Sequence, residues 1–389
     1  MRRSIFVALV SLVAFVVVAS CQTPSVIPFR LIDNRIVVPV TINGKGPYQC
    51  IVDTGAGSII STEVAKALGE KVQFAEVGGG VGEKRVMSGS TTLDSVSFPR
   101  GIEIKDVSTT VIPFDDMQHV FGKATIDAVF GTPLFERYMV TVDYEKQELT
   151  LIENARAPRT MSGTEILIQR SGIPVIAAQL DGVQARFGLD LGARSALLLY
   201  TPFVEKNNLR AKYKAGFETV TGWGIGGPVR SQIARAGVLK LGDTEVRSIV
   251  IRLSTQKAGA TTETHLDGLI GPDVFRQFRT TFDYARSRVV LQKASGYGKP
   301  DSYDRLGAWF GQQQDAFFAL DVVKGGPADL AGLRKDDVIL AIDGKGTSEL
   351  LLPETRARLR TLPPGTSVQL EIRRGQQLLH LTVLLRDLV

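Results

Sequence analysis

Tyr48-Gln49-Cys50-Ile51-Val52-Asp53-Thr54-Gly55-Ala56-Gly57-Ser58 is an apolar strand pattern that breaks at Asp-Thr-Gly, and it has a counterpart. The counterpart is Ala185-Arg186-Phe187-Gly188-Leu189-Asp190-Leu191-Gly192-Ala193-Arg194-Ser195. Both copies end in Asp-x-Gly-Ala-x-Ser. Upstream of each lies an alternating run, Arg35 to Ile42 or Ile173 to Leu180, closed by Asn43-Gly44 or Asp181-Gly182. Alternation followed by Asn-Gly or Asp-Gly predicts a strand turning through a tight hairpin into the strand that delivers the Asp.

The correspondence continues downstream. Helix-like stretches follow at Thr62 to Gly69 and Pro202 to Leu209, then glycine-rich hairpins at Gly78-Gly79-Gly80-Val81-Gly82 and Gly222-Trp223-Gly224-Ile225-Gly226-Gly227. An apolar–apolar–Gly unit comes next, Val129-Phe130-Gly131 in one copy and Leu269-Ile270-Gly271 in the other. It falls 78 residues after Asp53 and 81 after Asp190. Each copy closes on a Phe and a strand pair through Asp-Tyr: Phe135 to Asp143-Tyr144, and Phe275 to Asp283-Tyr284. Matching order with near-equal offsets identifies an internal duplication.

One Asp-Thr-Gly alone reads as an ordinary turn. Two in register can face each other across a two-fold axis. Carboxyl groups about 3 Å apart cannot both ionise, so they share one proton and titrate as a pair. Such a dyad polarises water and protonates a peptide carbonyl without metal or covalent intermediate. The glycine after each Asp lets one loop backbone approach the other. Other chemistries lack their residues: three histidines and two cysteines lie far apart, with no zinc or iron–sulfur spacing. No cofactor or metal is expected.

These motifs resemble the aspartic proteases, over roughly residues 28–293. Ala56 and Ala193 bring the loops closer to the retroviral type than to pepsins. The resemblance implies a mainly β fold: two acid-protease barrel lobes, 28–155 and 163–293, in one chain, with a small α+β domain behind them. It makes Asp53 and Asp190 the catalytic dyad, oriented by Thr54, Gly55 and Gly192. It also makes the two glycine hairpins flaps, through Gly78, Gly79 and Gly80 and through Gly224, Ile225 and Gly226, gripping an extended polypeptide substrate as strand addition does. One departure concerns the residue after each Asp, whose hydroxyl in the family bonds across to the other loop: Thr54 retains it, Leu191 does not. The first hairpin also lacks a flap tyrosine. The competing expectation is therefore a non-catalytic peptide-binding scaffold, which predicts widely separated carboxylates.

Residues 294–302 read as a linker. Beyond it, Gly325-Gly326-Pro327-Ala328-Asp329-Leu330-Ala331-Gly332-Leu333, with Asp343-Gly344 after an apolar strand, is similar to PDZ domains of bacterial type, over 303–389. Asp336 stands where that family usually has Gly. The likeness implies a groove in which a peptide adds along Ala308-Trp309-Phe310, its terminal carboxylate held near Leu306-Gly307-Ala308. Phe310 and Leu359 are candidate pocket walls, with a place in the domain core as the alternative for both.

At the other end, Arg2-Arg3 precede an apolar run from Ile5 to Ala19, shorter than the roughly 20 residues of a comfortable membrane span. This is the shape of a secretory signal. Val18-Ala19-Ser20-Cys21 resembles a bacterial lipobox, which implies a signal over 1–21, lipidation at Cys21, and a membrane-anchored protein of the bacterial cell envelope. Cys50 then has no disulfide partner and is expected to be a buried, inert thiol. Over all 389 residues the hydrophobic share is 44% and the charged share 22%, an ordinary globular balance. The net charge of +6 forms no patch; from Tyr303 onward eleven basic residues meet eleven acidic ones. Nucleic-acid binding is not expected. With both aspartates in one chain, a monomer is.

Overall fold

The computed structural model describes residues 24–389, so the signal and Cys21 lie outside the described residues. The two halves repeat one another strand for strand. In the first, sheet order runs Arg30–Ile32, Arg35–Ile42, Lys45–Val52, Ala128–Phe130, Ser58–Ser61, Ile102–Ile112, Val86–Phe98 and Gln73–Gly78. In the second it runs Gln169–Ser171, Ile173–Leu180, Val183–Leu189, Gly268–Ile270, Leu197–Leu199, Thr244–Ser254, Gly227–Leu241 and Glu218–Gly224. Each sheet curls into a barrel through one extra pairing, Thr41 opposite Ser97 and Gln179 opposite Lys240.

Local sequence accounts for the repeat. Arg35–Ile42 and Ile173–Leu180 share their burial pattern at seven of eight positions. At the hairpins, Asn43-Gly44 take φ of 49° and 73°, and Asp181-Gly182 take 44° and 83°. Two consecutive positive φ values are what a type I′ turn requires. Gly69, at φ 84°, ends the helix Thr62–Leu68 in a left-handed cap. The second helix-like stretch is split into Thr201–Lys206 and Leu209–Lys212, with Asn208 at φ 48° between them.

The lobes are joined by more than a linker. The Asp-Tyr strand pairs of both copies merge into one six-stranded sheet, in the order Ser25–Pro28, Glu148–Glu153, Tyr138–Asp143, Phe278–Asp283, Arg288–Lys293 and Thr164–Leu167. At its centre Thr141 lies opposite Thr281, their hydroxyls 2.8 Å apart, where the internal two-fold crosses the sheet. Phe135 packs edge-on to Phe282 at 5.5 Å, and a single apolar core runs through both lobes and this sheet. Cys50 is fully buried in that core, and burial raises its thiol pKa far above the usual range.

The C-terminal sheet, with Ala308–Gln313 at its edge, followed by Ala316–Val322, Val338–Ile342, Ser367–Arg374 and Gln377–Leu384, closes over a separate core with the helix Leu352–Thr361. Asp336, where glycine was expected, adopts φ 68°. That left-handed backbone explains why glycine is usual there.

Candidate active site

Each candidate Asp hangs from the end of a strand held between two others. Lys45–Val52 runs parallel to Ala128–Phe130, which pairs antiparallel with Ser58–Ser61. The turn between them carries Asp53, whose N–H donates to the Phe130 carbonyl at 3.1 Å. Asp190 is held the same way, its N–H donating to Ile270 at 2.9 Å. The apolar–apolar–Gly unit thus supports the loop directly. A Cβ on Gly131 would lie 1.8 Å from the Asp53 carbonyl oxygen, so only glycine fits beneath it.

The two carboxyl groups meet in side-chain hydrogen-bond contact, the arrangement the scaffold alternative does not predict. Their surroundings differ. Asp53 Oδ1 accepts from the N–H of Gly55 at 2.7 Å and of Gly192 at 3.1 Å, whereas Asp190 Oδ1 accepts from Ala193 at 2.8 Å. Burial raises both pKa values above 3.8. For Asp53 the two amide bonds counter part of that rise, because they favour the charged form. Asp190 is pushed further, by burial first and then by the Asp53 charge. The donors thus favour the charged form more at Asp53, which accepts two amides, than at Asp190, which accepts one. Gly55 and Gly192 leave the room this needs: a Cβ on Gly192 would fall 2.2 Å from Asp53 Oδ2, and one on Gly55 3.1 Å from Asp190 Cγ.

Thr54 is fully buried and crosses to the opposite loop, donating to the Leu189 carbonyl at 2.6 Å and accepting from the Leu191 N–H at 3.0 Å. Leu191 itself is fully buried in the shared core. Half of the expected reciprocal lock is thus hydrogen-bonded and half is apolar packing. A net hydrogen bond is worth about 0.5–1.5 kcal/mol, which the joint sheet below the site can absorb.

Sequence reading missed Arg35 and Asp33. Arg35 opens its strand where the second copy has Ile173, a charge at a buried register, and that mismatch was the available signal. Its Nε donates to the Gly192 carbonyl at 2.8 Å, and its charge lowers the pKa of both dyad carboxyls. Asp33 is buried and takes three guanidinium groups: Arg35 at 2.8 Å, Arg194 of the second Asp loop at 2.8 Å, and Arg356 of the C-terminal domain at 3.4 Å. These charges hold its pKa far below the usual range against the opposing effect of burial.

The two glycine hairpins meet above the dyad. Gly82 N–H donates to Ile225 O at 2.9 Å, Lys84 N–H to Gly226 O at 3.0 Å, and Ala260 N–H to Gly80 O at 2.9 Å. A Cβ on Gly80 would lie 2.7 Å from Ile225 Cβ, and one on Gly224 2.5 Å from Val81 Cγ2. Gly226, at φ 89°, makes the second tip. Gly78 is paired with Val86 at the base of the first, and Gly79 lines the cavity below. That cavity, about 580 Å³, contains both aspartates. One side is walled by Ile51, Met117 and Phe121, the other by Leu198, Val229 and Leu269, so apolar surface flanks the dyad on both sides.

The C-terminal domain presents its expected groove to the lobes rather than to solvent. The helix Asp115–Phe121 of the first lobe packs on both the strand Ala308–Gln313 and the helix Leu352–Thr361. The Val120 carbonyl accepts from Arg356 at 2.8 Å. Trp309 packs on Trp223 of the second glycine hairpin, ring centres 6.1 Å apart and planes tilted by 38°, and Asp321 accepts from the Thr219 hydroxyl and Val220 N–H of the strand leading into that hairpin at 2.8 and 2.7 Å. The expected carboxylate loop already holds a carboxylate: Asp304 accepts from the N–H groups of Leu306 at 3.2 Å and Gly307 at 2.9 Å, and Ala308 contributes a third amide. Phe310 and Leu359 are buried in the domain core, and the Phe310 carbonyl accepts from Arg356. The residues expected to bind peptide are brought together, but intramolecular partners occupy them.

Residues 38–134 match the family model for aspartyl protease, and residues 318–374 match that for the PDZ domain. Curated relatives include the probable periplasmic serine endoprotease DegP-like proteins of Chlamydia trachomatis serovar D (strain ATCC VR-885 / DSM 19411 / UW-3/Cx) and Chlamydia muridarum (strain MoPn / Nigg). They are 43% and 41% identical over 63 residues, which is 16% of this chain and only 12% of their own length. Among solved structures, a retropepsin-like aspartic protease from Rickettsia conorii aligns at 18% identity and a TM-score of 0.25, over 33% of this chain and 89% of that one. The chain is thus mainly β, with an aspartyl protease match over residues 38–134 and a PDZ domain match over residues 318–374.

Proposed function

We propose that this protein is an aspartic-type endopeptidase of the bacterial cell envelope, tethered through a lipid on Cys21, that hydrolyses polypeptides with the Asp53–Asp190 dyad. The observation that carries the reading is the contact between two half-buried carboxyl groups with unequal hydrogen-bond donors. Asp53, as carboxylate, takes a proton from a water molecule as the water oxygen attacks the scissile carbonyl carbon. Asp190 gives its proton to the carbonyl oxygen. In the second half, the proton now on Asp53 passes to the amide nitrogen, Asp190 recovers a proton from the diol, and the C–N bond breaks. Every proton is returned, so the dyad ends as it began.

Apolar walls on both sides of the dyad favour apolar residues flanking the cleaved bond. The flap tips meet over the dyad, and substrate entry requires the Gly82–Ile225 and Ala260–Gly80 contacts to part. The test is cleavage of an unfolded polypeptide from acidic to neutral pH. The rate is expected to trace a bell, because the active form carries one proton: it falls below the Asp53 pKa and again above the Asp190 pKa. Both limbs should lie above 3.8, as both values are raised. Activity that rises monotonically with pH would contradict the mechanism.

A further inference from the structure

The cleft wall carries three arginines, Arg35, Arg194 and Arg252. Asp33 pairs with the first two. Arg252 lies on the strand Thr244–Ser254, is 4% exposed, and among the described residues forms no ion pair. Its Nε and Nη1 have no hydrogen-bond partner, which leaves three of its five N–H donors unused. Its guanidinium sits 5.9 Å from the Tyr303 ring centre, a contact that satisfies none of these donors. Burial, reinforced by the charges of Arg360 and Arg194, brings its pKa down to about 10, still well above any working pH. A buried, unpaired guanidinium is costly to keep, and such groups persist where a ligand completes them.

A small hollow lies beside Arg252. Arg252, Arg194 and Thr221 stand in the walls of both the cleft and a hollow of about 40 Å³ beside it. The far wall of the hollow is PDZ surface, Trp309, Phe310 and Leu359, and the indole N–H of Trp309 is likewise unpartnered. Asp304, the carboxylate in that wall, already accepts from the loop amides of Leu306 and Gly307. The volume is that of one or two water molecules, enough for a carboxylate head.

We propose that Arg252, with Trp309 across the domain boundary, binds a carboxylate of the polypeptide substrate, either an acidic side chain or the chain terminus. The proposal rests on the peptidase reading above. It assigns the PDZ domain a share in the substrate site at the edge of the cleft, in place of a separate peptide groove. A charge-assisted hydrogen bond here should be worth about tenfold or more in affinity.

The test uses the full chain with Asp53→Asn, which holds peptide without turning it over, and a short fluorescent peptide with an apolar centre. One pair of peptides differs only in a free or amidated C-terminus, and a second set carries Glu or Gln at each position in turn. Carboxylate peptides should bind about tenfold or more tightly than their neutral partners, and Arg252→Met should erase that difference while leaving the neutral peptides unchanged. Arg252→Lys should retain part of it, which separates charge recognition from a folding defect. Discrimination in the first pair identifies the terminus, and in the second an acidic side chain. Equal binding of charged and neutral peptides, or an equal loss of both in Arg252→Met, overturns the proposal. If discrimination holds but the chain with Asp53 intact cleaves neither peptide, the peptidase reading fails and the carboxylate site stands.

Discussion

Asp53→Asn and Asp190→Asn are each expected to remove the proposed peptide hydrolysis, by about 100- to 10,000-fold or more, the range for losing a positioned general acid or base. Neither Asn can take or give the shared proton, and the isosteric amide leaves the loop in place. A second effect separates this loss from misfolding. The Asp190 pKa is raised on folding, so the folded chain holds a proton that the unfolded chain releases near pH 3.8. A group raised in this way favours folding fully only below its unfolded pKa, and that contribution is lost as pH rises through the folded value. At neutral pH the wild-type dyad is therefore a burden on the fold, and Asp190→Asn relieves it. Thermal unfolding should place Asp190→Asn above wild type at pH 7, with the gap closing near pH 3. An inactive variant that is less stable at both pH values would instead point to a collapsed site.

Gly192→Ala is expected to be nearly as damaging, for a purely spatial reason. The added Cβ would sit 2.2 Å from Asp53 Oδ2 and 2.4 Å from Asp53 Cγ. One of the two loops must withdraw, which breaks the Gly192 N–H bond to Asp53 and separates the carboxyl groups. Misplacement by about 1 Å is enough to cost on the order of 100-fold in rate. Gly57→Ala is the matched control: it lies in the other Asp loop, and a Cβ there meets nothing within 4 Å. It should leave the rate within a fewfold of wild type. Comparable rates for the two variants in a peptide-cleavage assay would show that the loops do not approach as described.

The duplication was legible because strand alternation, Asn-Gly and Asp-Gly turns, and the Asp-x-Gly loops are local signals. Asn43-Gly44 and Asp181-Gly182 carry their own conformations, and Gly131 and Gly192 are small because backbone or carboxylate crowds them. What sequence could not place are pairings whose partners lie far apart and obey no period. Thr141 meets Thr281, which merges two strand pairs into one sheet, yet nothing near either residue specifies the other. Asp33 gathers Arg35, Arg194 and Arg356 from three parts of the chain. The expected peptide groove of the PDZ domain was inferred from the isolated domain. It could not anticipate that the helix Asp115–Phe121 would pack on Ala308–Gln313, or that Asp304 would take the loop amides two and three residues ahead. Leu191 looked like a defect when read as a missing hydroxyl; in the folded chain it is core.

The proposed chemistry depends on one proton shared by two acids. The direct measurement is a ¹³C NMR titration of the Asp53 and Asp190 carboxyl carbons, assigned through the two Asn variants. Coupled transitions are expected, both above 3.8, with the later one belonging mainly to Asp190 and moving toward ordinary values in Asp53→Asn. Two independent titrations near 3.8, each indifferent to loss of the other residue, would contradict it.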